Sequence, residues 1–170
     1  MREYDFDRVY QELFPTVFRV AFRIAGDRGI AEDLTHEAFL RLIKRETPLP
    51  DVDQTKYWLL RVVRNLSLNH EKRRQRERHA VGRLEGASET YAFPADAALM
   101  KAATRDAVQE ALNALPYNMR TALVLREYVG MSYREISSVL GISESNVKVR
   151  LHRARQQLAR RLSPGVPRVP

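Results

Sequence analysis

The sequence predicts an all-α protein of two small helical domains joined by a flexible linker, the C-terminal one a helix-turn-helix. Three observations carry this. Apolar residues recur at three- and four-residue spacing in almost every ordered stretch, with little strand-like alternation. That periodicity stops between His79 and Pro94, where Gly82, Gly86, Ala87, Ser88 and Pro94 gather. Near the C-terminus, a short capped helix, a glycine turn and a long basic helix follow one another. At 170 residues and 44% apolar composition, two small folded cores can be built.

The first helix, Phe6 to Ile24, places Phe6, Val9, Tyr10, Leu13, Val17, Val20, Ala21 and Ile24 on its apolar side. Pro15 cannot donate to the preceding turn, so a kink or a second helix start is expected there, and Gly26-Asp27 closes the segment. The next helix, roughly Arg28 to Arg45, buries Ile30, Ala31, Leu34, Ala38 and Leu42. Its opposite stripe is Asp33, His36, Glu37, Leu40, Arg41 and Lys44. Leu40 is an apolar residue in a charged face, which points to a partner.

After the loop Thr47-Pro48-Leu49-Pro50-Asp51, a long helix is predicted over about Lys56 to Arg78. Its first half can pack through Trp58, Leu59, Val62, Val63 and Leu66, whereas its second half is almost wholly basic and must project. Trp58 offers a ring that could stack on an unpaired base, but Leu59 and Val62 beside it favour a core role. The predicted divisions are a domain over 1–78, a linker over 79–94, a domain over 95–162 and a tail over 163–170. In the second domain, helices are expected from Asp96 to Leu115, from Pro116, from Ser132 to Leu140 and from Ser143 to about Leu162. Ser132 and Glu135 have the spacing of a capping box, in which each side chain satisfies an amide of the first turn.

The net charge is +8, and its distribution is more telling than its size. From Arg61 to Arg78, seven basic residues (Arg61, Arg64, Lys72, Arg73, Arg74, Arg76, Arg78) face two acids. From Glu144 to Arg161, six (Lys148, Arg150, Arg153, Arg155, Arg160, Arg161) face one. Each segment carries +5, so the remainder of the chain is net acidic. Such clustering suits a polyanion, because each cation set on a phosphate releases a condensed counterion. Charge alone leaves two solvated faces or an anionic membrane surface equally open.

Several function classes find no support. There is no Cys, and the His residues are scattered at 36, 70, 79 and 152. Glu32-Asp33-x-x-His36-Glu37 lacks the second Glu-x-x-His that a di-metal bundle needs, so no metal and no cofactor is expected. No glycine-rich phosphate loop or Ser-His-Asp set occurs, so neither an enzyme nor a small-molecule substrate is expected. The N-terminus lacks a signal-type apolar run, and no stretch is apolar enough for membrane insertion, so a cytoplasmic protein is expected.

The stretch MSYREISSVLGISESNVKVRLHRARQQL is the most informative in the chain. Ile136 and Leu140 supply the first helix's core face, Gly141 suits the turn, and Ile142 seals the corner. Val147, Leu151, Ala154 and Leu158 continue the buried stripe in the second helix. Ser145, Asn146, Lys148, Val149, His152, Arg153 and Gln156 are left facing outward. At the start of a helix entering the major groove, Asn pairs with adenine and Lys or Arg with guanine. Flanking Arg150, Arg155 and Arg160 suit phosphates.

On these residues, LNALPYNMRTALVLREYVGMSYREISSVLGISESNVKVRLHRARQQLARRL resembles the fourth conserved region of extracytoplasmic-function (ECF) sigma factors. AEDLTHEAFLRLIK and YWLLRVVRNLSLNHEKRRQR resemble their second conserved region. The resemblance implies a bacterial factor that binds RNA polymerase core and directs promoter recognition, DNA opening and transcription initiation. It implies that Asp33, His36, Glu37, Leu40, Arg41 and Lys44 face the clamp helices of the polymerase's largest subunit, with the flap of the second-largest as a further contact.

Residues 47–56 and the helix carrying Arg61, Arg64, Asn65, Asn69, Lys72, Arg73, Arg74 and Arg76 would bind and help open the minus-ten element. Asn65 would lie near the pocket for a flipped base. Ser145, Asn146, Lys148, Val149, Arg150, His152, Arg153 and Arg155 would bind the minus-thirty-five element, and an anti-sigma partner is expected. Asn69 stands where many relatives carry Asp, and Ser145-Asn146 where many carry Gly-Thr, which bears on promoter sequence. A stand-alone helix-turn-helix regulator is the alternative, but it leaves the Arg61–Arg78 run and the Leu40 face unexplained.

Overall fold

A computed structural model describes residues 3–81 and 97–162, and among these it shows seven helices and no strand. They are α1 (Glu3–Ala25), α2 (Arg28–Ile43), α3 (Val52–Val81), α4 (Ala97–Asn113), α5 (Tyr117–Val129), α6 (Tyr133–Leu140) and α7 (Glu144–Leu162). α3 runs on to Val81, so residues 79–81 of the linker expected over 79–94 are helical; its remainder, 82–94, and the tail 163–170 lie outside the described residues.

α1 is one continuous helix through Pro15, so no second helix starts there. Pro15 lies on the exposed side, while Leu13 and Val17 on either side of it are buried. Burying the turns beyond Pro15 outweighs the roughly 3 kcal/mol that an interior proline costs a helix. Gly26 then takes a left-handed φ of +75°, and Asp27 caps α2 by accepting from the Ile30 amide at 2.8 Å. α3 begins earlier than expected, because Asp51 accepts from the Gln54 amide at 2.7 Å and so caps the helix ahead of Lys56.

Two hydrophobic clusters form. One joins α1, α2 and the start of α3 through Val9, Leu13, Val17, Ala21, Ala31, Leu34, Ala38, Phe39, Leu42, Leu59 and Val63, with Trp58 packed against it. The other gathers Leu112, Leu115, Leu125, Ile136, Val147, Leu151 and Ala154 from α4 to α7. It also takes in Val20 and Ile24 from α1 and Leu60 from α3, so the C-terminal helices rest directly on the N-terminal ones. Gly26 has no room for a Cβ because the Asn113 side chain at the end of α4 abuts it.

Candidate nucleic-acid interface

The helix-turn-helix is built as its residues dictate. Ser132 accepts from the Glu135 amide at 3.2 Å, and Glu135 accepts from the Ser132 amide at 2.7 Å, completing the capping box at the start of α6. Gly141 ends α6 with φ +66°, a conformation that costs glycine nothing. Ile136, Val147, Leu151 and Ala154 lock α6 and α7 together in the core. Ser145, Asn146, Lys148, His152, Arg153 and Gln156 are exposed along one side of α7, and Val149 among them is 45% exposed. An apolar side chain left that open on the amino-terminal turns suits contact with a thymine methyl.

The flanking arginines divide. Arg160 is exposed. Arg155 is held by Glu127 of α5, with Nη2 at 2.8 Å and Nε at 3.3 Å, and this carboxylate raises its pKa. Arg150 is half-buried; burial and, secondarily, the neighbouring Arg64 charge lower its pKa.

The second basic segment lies on α3. Asn69, Lys72, Arg73 and Arg76 are exposed; Arg73 pairs with Glu77 at 2.7 Å, and Arg74 lies 3.5 Å from Glu71. Nearer its start, α3 is occupied by α6. Arg61 donates to the Ser138 carbonyl at 3.1 Å and to Ser138 Oγ at 3.0 Å, and Arg64 donates to the Leu140 carbonyl at 3.3 Å. Arg64 also donates to Asn65 Oδ1 at 2.9 Å, so that exposed amide is tied to the same contact.

Two tyrosines complete the seam. The Tyr57 hydroxyl donates to Glu135; that bond first, and burial second, push the phenol up to about 12, while the same bond, with those from Ser132, holds the carboxyl below its usual range against the opposing effect of burial. Tyr117 donates to the Arg64 carbonyl at 2.9 Å and lies 2.6 Å from Ser67 Oγ. Tyr57, Tyr117, Ser138 and Glu135's second role escaped sequence reasoning because each contact joins residues more than 49 positions apart. Only the apolar start of α3 hinted that something covers it.

On α2, Asp33, His36, Leu40, Arg41 and Lys44 are exposed and Glu37 is half-exposed, paired with Arg41 at 2.7 Å. Leu40 is 48% exposed and Ile43, which sequence reasoning passed over, is 54% exposed. The two make a small apolar surface set among charges. Phe39, also passed over, points inward and is buried against Phe6, Tyr10 and Phe14. No group of metal-ligating side chains occurs among the described residues.

Residues 9–77 match the family described as Sigma-70 region 2, and residues 105–158 match Sigma-70, region 4. The ECF RNA polymerase sigma factor SigM of Bacillus subtilis is 30% identical over 160 residues, covering 94% of this chain and 96% of its own. The chain belongs to the ECF sigma factors. The ECF RNA polymerase sigma factor SigE of Mycolicibacterium smegmatis is 35% identical over 158 residues, which is 89% of this chain but 59% of that protein's own length. In fold the chain is similar to the sigma factor RpoE of Bartonella quintana, solved with the anti-sigma factor NepR. The TM-score is 0.71 at 22% identity, covering 93% of this chain and 96% of that one. Within this ECF sigma factor the region 2 match spans α1 to α3 and the region 4 match spans α4 to α7, so its helix-turn-helix is not a lone module.

Proposed function

We propose that this ECF sigma factor binds RNA polymerase core and directs promoter recognition, DNA opening and transcription initiation for a specific set of promoters. The observation that carries the reading is one chain bearing three separate exposed surfaces in the order of its two sigma regions: the Leu40–Ile43 face of α2, the basic half of α3 and the amino-terminal turns of α7. Asp33, His36, Glu37, Leu40, Arg41 and Lys44 would meet the clamp helices of the largest subunit, and the α4–α7 unit the flap of the second-largest.

The α3 residues Arg61, Arg64, Asn65, Asn69, Lys72, Arg73, Arg74 and Arg76 would hold the minus-ten element. Those from Ser145 to Arg155 would hold the minus-thirty-five element. The exposed amide of Asn65 supports a role beside an unpaired base. An anti-sigma factor, of the kind seen with RpoE, is a further partner. No described helix is long and apolar enough to cross a membrane, which fits work in the cytoplasm.

The test is core binding without DNA. The native chain is expected to co-purify with polymerase core, and Leu40→Ala and Glu37→Lys to weaken that binding at unchanged thermal stability, since both side chains lie outside the core. Native affinity in both variants would remove the assignment of the α2 face, and failure of the native chain to bind core would remove the function.

A further inference from the structure

One face of α3 changes its chemistry along its length. Asn65, Asn69, Lys72, Arg76 and His79 follow one another at alternating four- and three-residue spacing, so they line a single face, and all five are exposed. The face begins with amides and ends with cations. Amides pair with base edges, whereas Lys and Arg suit phosphates. The aromatic residues of α3, Tyr57 and Trp58, lie near its start, and from Asn69 to Val81 there is no Phe, Tyr or Trp. Surfaces that hold a bare strand set cations among aromatic rings on which unpaired bases stack. The end of α3 has the cations without the rings, which suits the phosphate rows of an intact duplex.

The acids of this half sharpen the assignment. Glu77 pairs with Arg73 at 2.7 Å, and Glu71 lies 3.5 Å from Arg74. At about 100° per residue, Arg73 and Glu77 flank the face while Glu71 and Arg74 lie behind it. Both acids therefore engage arginines off the face. Lys72 and Arg76 make no ion pair among the described residues. Arg76 leans along the face, its Nε 3.4 Å from the Lys72 carbonyl, and Lys72, Gln75, Arg76 and His79 border one open concavity. Arg78 is exposed too, but on the opposite side of the helix.

Length and direction place this end on the DNA. From Asn65 to His79 the helix rises about 21 Å, the length of roughly six base-pair steps. The two promoter elements are about 25 base pairs apart, roughly 85 Å of duplex. Residues 82–96, between α3 and α4, reach at most about 50 Å when extended. That tether closes the distance when α3 runs upstream from the minus-ten element and falls short when α3 runs the other way.

Building on the function proposed above, we propose that α3 straddles the boundary between opened and closed DNA. Its Asn65 end takes the unpaired bases, and Lys72, Arg76 and His79 hold phosphates of the intact duplex just upstream. The duplex grip gives opening a fixed boundary, so that strands part on the Asn65 side of it. His79 and Gln75, which sequence reasoning left out, belong to this grip, whereas Arg73 and Arg74 are held by their own acids.

The test uses holoenzyme made with the full chain and two probes: a minus-ten non-template single strand, and a fork in which that strand continues into upstream duplex. Lys72→Gln and Arg76→Gln should each lower fork affinity about fivefold and reduce its salt slope by about one, the signature of one lost phosphate contact. On the bare strand each should lose less than about twofold. Arg78→Gln removes the same charge two positions from Arg76 but on the opposite side, and should leave the salt slope on the fork unchanged. All three positions are exposed, so the fold tolerates the changes. Equal losses on strand and fork in Lys72→Gln and Arg76→Gln overturn the duplex grip. So does an Arg78→Gln slope that falls as far as that of Arg76→Gln, which would mean diffuse attraction rather than one face. Native holoenzyme that binds native and scrambled minus-ten forks alike would instead remove the proposed function, and the grip with it.

Discussion

The two basic helices of this ECF sigma factor stand in opposite circumstances. α7 buries Val147, Leu151 and Ala154 against its own neighbours and turns Ser145, Asn146, Lys148 and Val149 to solvent. The start of α3 serves two clusters at once: Leu59 enters the N-terminal cluster and Leu60, the next residue, enters the C-terminal one. Its arginines at 61 and 64 are engaged by α6. A helix buried on one side leaves its whole other face ready for a ligand, whereas a helix packed on two sides offers only what its neighbours leave open, here Asn69, Lys72, Arg73 and Arg76.

The largest expected effect breaks or upholds that contrast. Leu59 and Leu60 are both fully buried, so Leu59→Ala and Leu60→Ala should each destabilise the chain by about 2–5 kcal/mol, the usual cost of truncating a core leucine. Denaturant unfolding of the full chain measures both. If the C-terminal helices leave α3 in solution, Leu60 becomes a surface leucine and its truncation should cost within about 0.5 kcal/mol while Leu59→Ala still costs several. Equal, large losses support the packed arrangement.

The contrast also explains what could be read from the residues alone. The helix-turn-helix was legible throughout, because the capping box Ser132/Glu135, the turn glycine and the 3.6-residue stripe are local signals, and local signals survive in one dimension. The outward stripe of α2 was legible too, apart from Ile43. Pro15 does not divide α1 because propensity is a local term that tertiary burial overrides, and the helix start at Val52 was missed because Asp51 was read as a loop residue rather than a cap. Arg61 and Arg64 read correctly as basic, but a guanidinium donates as readily to a helix's terminal carbonyls as to a phosphate. Which of the two it meets depends on Ser138 and Leu140, more than seventy positions away.

A second, smaller effect separates base reading on α7 from backbone contact on α3. Asn146→Ala or Lys148→Ala should cost on the order of 1–3 kcal/mol on the best minus-thirty-five sequence and flatten discrimination at one or two base pairs. Lys72→Ala, on the exposed basic half of α3, should weaken binding to all sequences alike and lower the salt slope by about one. Holoenzyme binding over single-base promoter variants at several salt concentrations measures all three. A change of sequence preference in Lys72→Ala, with none in the α7 variants, would invert the roles given to the two helices.

The smallest effect concerns Arg155, which sequence reasoning set beside Arg160 as a free phosphate contact. Its guanidinium is bound twice by Glu127, and both side chains are about half exposed. An ion pair in that setting contributes about 0–1 kcal/mol to stability, so Arg155→Ala should barely move the unfolding midpoint. Its effect on DNA affinity depends on whether the pair must part for the arginine to reach a phosphate. Glu127→Gln decides this, since it removes the competing charge and keeps the shape. If Arg155 has to leave Glu127, the Gln variant should bind all promoter sequences slightly tighter, by no more than about threefold, the release of one exposed pair, with sequence preference unchanged. Combining it with Arg155→Ala should erase that gain. If Glu127→Gln instead weakens binding, the carboxylate aims the arginine at the backbone rather than restraining it, and the ion pair is part of the DNA-binding surface.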